Sequence, residues 1–189
     1  MVLKSLKLFN LYIGNILMKY AFKSMINNNV FIDSFNKLVV FESYFLLKHL
    51  NFQFKCFIDL LTVDYTFNKN RFATIYNLLS VNYNIRVFLK VWVPTTLKLQ
   101  SIIRVYYNAE WYERESWDMF GVFYKKSNDL RRILNDYNFK GFPLRKDFPL
   151  NGFFELKYYF KYKSLYYEKI TLIQEYRAFK TISPWDYLK

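Results

Sequence analysis

The residues with the most chemical capacity are gathered between Glu110 and Leu150. Glu110, Glu113, Glu115 and Asp118 are paired carboxylates of the kind used in general acid and base catalysis, and Arg114 stands among them. On a helix Glu110, Arg114 and Asp118 fall at i, i+4 and i+8, so the spacing predicts one guanidinium between two carboxylates. Exposed pairs of this type contribute only about 0.3 to 0.5 kcal/mol each. That is too little to account for so many charges set among Trp111, Tyr112, Trp117, Met119 and Phe120. A solvated helix face is the plain reading of such a run, and a helix covered by a partner surface is the sharper one. No nearby histidine, Gly-rich loop or nucleophile signature completes a catalytic site.

Metal and cofactor chemistry meet a shortage of ligands. The chain has one cysteine, Cys56, and one histidine, His49, whereas iron-sulfur and zinc sites take about three or four thiolate or imidazole donors. Cys56 reads as a small buried apolar residue, and His49 as a surface or capping side chain. The glycines, Gly14, Gly121, Gly141 and Gly152, are too dispersed for a phosphate-cradling loop.

The elements that must position the charged stretch follow from periodicity. Asn108 as N-cap and Gly121 as stop bound a helix over Glu110 to Phe120. Ser101 is expected to cap a short helix over Ile102 to Tyr107, and Asn128 and Asp129 another over Leu130 to Leu134. Pro143 and Pro149 then hold the backbone extended or turning, with Arg145, Lys146 and Asp147 between Phe142, Leu144, Phe148 and Leu150. Such a segment cannot bury a core of its own and should lie across something else.

Upstream, Ile85, Val87, Leu89, Val91 and Val93 alternate with Arg86, Phe88, Lys90 and Trp92, the period of a strand with one face on a core. Phe54 to Tyr65 and Phe72 to Leu79 are two further extended runs. With the polar turns at Asn68-Lys69-Asn70 and Asn82-Tyr83-Asn84, they predict an antiparallel meander. Lys37 to Phe41 reads as a short strand, Glu42 to Leu50 as a helix, and Met1 to Asn27 as an amphipathic helix with lysines opposite its apolar stripe. The first helix also has the positive, acid-free character of a transit peptide. No run of about 18 uncharged apolar residues is present, so no transmembrane helix is expected. Beyond Gly152 the alternation Phe154, Leu156, Tyr158, Phe160, Tyr162 predicts another extended segment, followed by a weakly helical patch at Ile170 to Phe179.

The expected fold is α+β: a small, mainly antiparallel sheet covered by helices, then the charged helix and a long extended C-terminal arm. Four parts are expected, namely an N-terminal helical extension (1–36), a sheet domain (37–100), a helix and proline-containing interaction segment (101–150) and a C-terminal tail (151–189).

At the charged stretch the sequence resembles the thirty-kilodalton subunit family of respiratory complex I, also called NADH dehydrogenase subunit nine. The matching text is Trp111-Tyr112-Glu113-Arg114-Glu115, Trp117-Asp118-Met119-Phe120-Gly121-Val122, Asp129-Leu130-Arg131-Arg132-Ile133-Leu134, Asp136-Tyr137 and Pro143-Leu144-Arg145-Lys146-Asp147-Phe148-Pro149-Leu150. Weaker similarity reaches from about residue 37 to 186. The sequence departs from the family pattern at Glu110, Ser127, Asn128 and Phe142.

The resemblance implies a non-catalytic scaffold of the peripheral, matrix-side arm of NADH:ubiquinone oxidoreductase at the mitochondrial inner membrane. It would be needed for assembly and for positioning the iron-sulfur subunits and the quinone-site subunit, its expected partners. It implies no cofactor on this chain, with FMN and iron-sulfur clusters held by other subunits. The expected subunit-interface residues are Trp111, Glu113, Arg114, Glu115, Asp118, Arg131, Arg132, Arg145, Lys146, Asp147 and Pro149.

Charge supplies the competing reading. The chain carries a net +13, and residues 1–108 hold 13 Lys/Arg against 4 Asp/Glu. A basic, aromatic-rich half suits nucleic acid, as in a mitochondrial ribosomal protein, as well as an acidic protein or anionic membrane. Yet the strongest motifs lie in the less basic half. The 23% aromatic content, with abundant Lys, Asn and Ile, has the bias of an AT-rich genome and gives the expectation of an organelle-encoded gene.

Overall fold

In the computed structural model, residues 22–26, 29–34, 39–48, 53–174 and 176–177 are described. They fall in two compact units divided between Phe148 and Pro149.

The first unit is built on a five-stranded sheet in the order β1-β2-β5-β4-β3. Its strands are β1 (Phe22–Ile26), β2 (Asn29–Ser34), β3 (Cys56–Asp64), β4 (Phe72–Ser80) and β5 (Ile85–Val93). The predicted meander is present: β3 pairs antiparallel with β4, and β4 with β5. On β5 the apolar set Ile85, Val87, Leu89, Val91 and Val93 is buried and Arg86 exposed, as the alternation requires. β4, paired on both edges, buries seven of its nine residues, so both of its faces are covered.

Two strands depart from the expected pattern. β1 and β2 form an antiparallel pair, with Phe22 opposite Asp33 and Ile26 opposite Asn29, and β2 adds parallel to β5, which makes the sheet mixed. Phe22 to Ile26 therefore does not continue the amphipathic helix expected over Met1 to Asn27. Ile32, buried on β2, is a β-branched residue of the kind that favours a pleated surface. Residues 1–21, which hold the rest of that expected helix, and His49 lie outside the described residues.

Helix α1 (Val39–Lys48) occupies ground whose sequence reads partly as a strand, at Lys37 to Phe41. A short apolar run fits either period, and here the helical one prevails. The Ser43 hydroxyl donates back to the Val40 carbonyl at 2.9 Å, and fully buried Leu46 enters the core while its carbonyl accepts the Phe54 N–H. Cys56, expected inside, is exposed at the start of the edge strand.

Helix α2 (Ala109–Phe120) packs on β3 and carries the charged motif. Its ends are tied by a short parallel pair, β6 (Leu99–Gln100) with β7 (Tyr124–Lys125). Asn108 does not cap the helix; its side chain donates to the Phe57 carbonyl at 2.8 Å, covering a polar group of the edge strand. Gly121 does end the helix, at φ +78°, with its N–H on the Trp117 carbonyl. The short helix expected over Ile102 to Tyr107 is a pair of turns, since Tyr106 anchors that segment through its hydroxyl to the Phe54 carbonyl at 2.6 Å. Ile102, Tyr106, Ala109, Val122 and Tyr124 all join the sheet's core, so packing runs continuously across residue 100.

The second unit contains an antiparallel hairpin, β8 (Phe154–Tyr159) with β9 (Ser164–Lys169). Strand structure begins at Phe154 as the alternation predicts, but the chain turns back at Phe160 to Lys163, so a hairpin stands where extended chain is expected to run on through Tyr162. The described residues of the expected helical patch, 170–174 and 176–177, are not helical. The hairpin is open on both faces, with Phe154, Leu156, Tyr158, Tyr166 and Tyr167 exposed.

Candidate functional site: loops pinned by buried carboxylates

Two carboxylates of α2 point inward. Asp118 is fully buried, and the chain leaving the helix folds back around it. Its Oδ2 accepts the N–H groups of Ile133, Leu134 and Asn135 at 3.2, 2.8 and 2.9 Å, while Oδ1 accepts the Arg132 guanidinium at 2.7 Å and the Asn135 amide at 2.9 Å. Burial alone would raise the Asp118 pKa, but the Asn135 and Leu134 N–H groups and Arg132 together outweigh it and hold it at about 2. Successive backbone N–H groups converging on one anion form a nest. Leu130 to Leu134 is accordingly no helix: the Ile133 and Leu134 N–H groups are directed at Asp118, and that of Arg131 at Asp129, instead of back along a helix. The expected stripe also rearranges, because Asp118 pairs with Arg132 and not with Arg114.

Glu113, the second inward carboxylate, is fully buried and accepts the Ile102 N–H at 2.8 Å. Burial, with Glu110 adding to it, raises its pKa to about 7 against the Ile102 and Ser101 hydrogen bonds that lower it.

A third buried carboxylate, Asp64 at the end of β3, is absent from the expected site residues. Arg71, across the β3–β4 turn, grips it with Nε and Nη2, both at 2.8 Å, and reaches Asp147 with the same guanidinium. Asp64 Oδ2 also accepts the Lys146 N–H at 3.0 Å. The Arg71 hydrogen bond holds Asp64 below the usual carboxylate range. Its signal in the sequence is an acid and a base at facing ends of two strands flanking a polar turn.

Arg145 completes the tie. Its Nε donates to the Phe120 carbonyl at 2.6 Å, its guanidinium lies 4.3 Å from the centre of the Phe142 ring, and no described carboxylate lies within ion-pair distance. Arg132 faces the same ring at 5.3 Å. Phe142 thus presents its electron-rich face to two cations. Burial lowers the Arg145 pKa, and neighbouring Arg71 adds to that. Gly121 is required here, since a Cβ would stand 2.5 Å from Arg145 Nη2 and 2.7 Å from Phe142.

The remaining expected residues point outward. Trp111 is 63% exposed, with the Arg114 guanidinium 4.9 Å above its ring. Arg114 also donates to the Arg131 carbonyl, and Arg131 pairs with Asp129 at 2.6 Å. Glu115, Lys146 and Asp147 are exposed, and Pro149 is an exposed residue of the second unit. Tyr107, Leu134, Tyr137 and Leu144 are also exposed large side chains of the first unit. Among the described residues no group of three or more His, Cys, Asp and Glu converges to hold a metal ion.

Fold and site together define an α+β module in which buried acids fasten irregular loops to a sheet, leaving arginines and aromatic rings on the outside. The chain belongs to the family described as respiratory-chain NADH dehydrogenase, 30 Kd subunit, whose model matches residues 39–154. It is 48% identical over 143 residues to NADH-ubiquinone oxidoreductase subunit 9 of Prototheca wickerhamii, covering 76% of this chain and 74% of that one. It is 49% identical over 137 residues to the subunit 9 of Acanthamoeba castellanii, covering 72% and 69%. With the NADH dehydrogenase [ubiquinone] iron-sulfur protein 3 of Patellifolia webbiana it shares 46% over 142 residues, covering 75% and 74%. The donor set of this chain, with a single cysteine, does not fit the iron-sulfur cluster which that name mentions. A chain in the structure of an archaeal membrane-bound sulfane sulfur reductase, a respiratory membrane complex, superposes with a TM-score of 0.64 at 21% identity, covering 75% of this chain and 85% of its own. That likeness is one of fold. Family membership leaves the nucleic-acid reading without support.

Proposed function

We propose that this chain is a non-catalytic scaffold of the peripheral, matrix-side arm of mitochondrial NADH:ubiquinone oxidoreductase. It would be needed for assembly and for positioning the iron-sulfur and quinone-site subunits, which with FMN would hold the redox centres. One observation carries this reading. Two buried acids, Asp118 of the motif and Asp64 at the end of β3, are consumed inside the chain, and what they fix is a set of outward groups rather than a reaction centre. Asp118 and Asp64 satisfy their charge on Arg132, Arg71 and backbone N–H groups. Trp111 on α2, and Arg131, Tyr137 and Lys146 on the loops so fastened, are left exposed. Arginine and aromatic side chains are those enriched where binding energy concentrates.

Arg145 is the most informative residue to change. It is half-buried, lacks a described carboxylate partner and sits at the junction of α2 with the proline-containing segment. Arg145→Ala should lower the yield of assembled complex, read by native gel and in-gel NADH oxidation, far more than it lowers the melting temperature of the chain itself. Normal assembly in that variant would contradict the proposal.

A further inference from the structure

Between α2 and the sheet lies a polar cluster that the interface reading does not use. The register of β3, β4 and β5 places Thr62 opposite Thr74 and Thr74 opposite Val91, while Leu60 and Leu89 flank Tyr76. Thr74 and Tyr76 therefore share one face of the central strand, with Thr62 beside them, since side chains two apart line one face. Ser116 of α2 reaches this face, its hydroxyl 2.7 Å from Thr62 Oγ1, and the Tyr124 hydroxyl donates to Ser116 at 2.9 Å. Glu113 lies on the same side of α2 and interacts electrostatically with both Tyr76 and Tyr124.

Hydrogen-bond accounting leaves a remainder. Glu113 Oε1 accepts the Ile102 N–H, but Oε2 has no partner, and neither do the Tyr76 hydroxyl and Thr74 Oγ1, all three in fully buried residues. An ionised carboxylate in such a place needs a cation, because the cost of burying an unpaired charge amounts to several kcal/mol. Among the described residues none faces it. On α2, Arg114 is committed to Trp111 and the Arg131 carbonyl, and Asp118 to Arg132. On β3, Asp64 holds Arg71, while Asp59 caps the Leu60 N–H. On β5, Arg86 is exposed and Lys90 lies over Trp92; Lys125 of β7 and Arg104 of the preceding turn are exposed. The charge on α2 that adds to the effect of burial is Glu110, another acid.

We propose that Glu113 is held as the neutral acid, because a fully buried carboxyl with one N–H partner and no facing cation does not keep its charge, and that its ionisation makes the seat of α2 on the sheet sensitive to pH. The neutral form removes the cost of an unpaired buried charge. Its raised pKa of about 7 accords with that geometry. A carboxyl held above its ordinary value binds a proton in the folded state that the unfolded chain has released. The contribution is thus full below the unfolded value of about 4.3 and is lost as pH rises through about 7. Ionisation would loosen the helix whose outer side presents Trp111.

Infrared spectroscopy of the full chain tests this directly. At pH about 6, where ordinary carboxyls are ionised, the wild type should show a carbonyl stretch of a protonated carboxylic acid. That band should be absent from Glu113→Gln and should vanish from the wild type as pH rises through about 7. In urea titrations the wild-type midpoint should fall between pH about 4.3 and about 7 and level off above, whereas Glu113→Gln, which stays neutral, should match the wild type near the acid end of that window and lack the fall, and Glu113→Ala should unfold earlier than Glu113→Gln at every pH. Absence of the acid band in the wild type would overturn the proposal whether or not either variant folds. An unchanged pH profile in Glu113→Gln would overturn it as well.

Discussion

Asp118 concentrates more partners than any other side chain of the motif, and its behaviour should be the most sensitive to change. Asp118→Asn preserves shape but strands Arg132 and weakens the nest around Ile133 to Asn135. Breaking a buried pair in this way costs about 3 to 5 kcal/mol, which a denaturant midpoint will register. Because the folded carboxyl is held at about 2, below an unfolded value of about 3.9, its contribution is present above the latter and is lost as pH falls toward the former. The variant should accordingly show a flatter acid limb than the wild type. At Gly121 the constraint is steric. Gly121→Ala must adopt a left-handed backbone and displace Arg145 or Phe142, and should cost about 1 to 3 kcal/mol in thermal or urea unfolding. The residue types of this site are legible in the sequence, but their pairings are not. Helical spacing offers Arg114 to Asp118, and a more distant Arg132 takes it because burial rewards a guanidinium delivered together with three backbone donors.

Among elements, the regular ones are readable and the irregular ones are not. The meander β3-β4-β5 and helix α2 announce themselves by strict periods and by Gly121. The turns at 102–108 and the loop at 130–135 carry capping residues that mimic helix starts, but acids brought in from α2 take the Ile102 N–H in the first and the N–H groups of Ile133 to Asn135 in the second. The strand pair β1-β2 leaves no local signal of its place, since its pairing partner, β5, lies more than fifty residues away. The triad Asp64, Arg71 and Asp147 has an element-scale consequence. It fastens the segment around Lys146 to the end of β3 without contributing to the β3–β4 ladder itself. Arg71→Ala should therefore raise hydrogen exchange at the Lys146 amide by at least tenfold, while amides within β4 and β5 keep their protection. Equal loss of protection in both places would mean that the triad supports the sheet as a whole.

For the molecule as a whole, the sequence resemblance and the family match agree, and the structure adds how the motif uses its residue types. A first unit with its own core carries the motif loops, and a second unit offers an open hairpin with large aromatic groups on both faces. Two-sided exposure of this extent on a two-stranded hairpin is unusual for a chain that stands alone. It fits a subunit completed by neighbours. The measurement closest to the central claim is covalent footprinting of the free chain and of the assembled NADH dehydrogenase. Labelling of Trp111, Tyr137 and Lys146, all open in the free chain, should fall at least severalfold in the complex, with Asp118 and Arg132 still paired beneath them. Equal labelling of those three residues in both states would show that the loops are fastened for some purpose other than holding a neighbour.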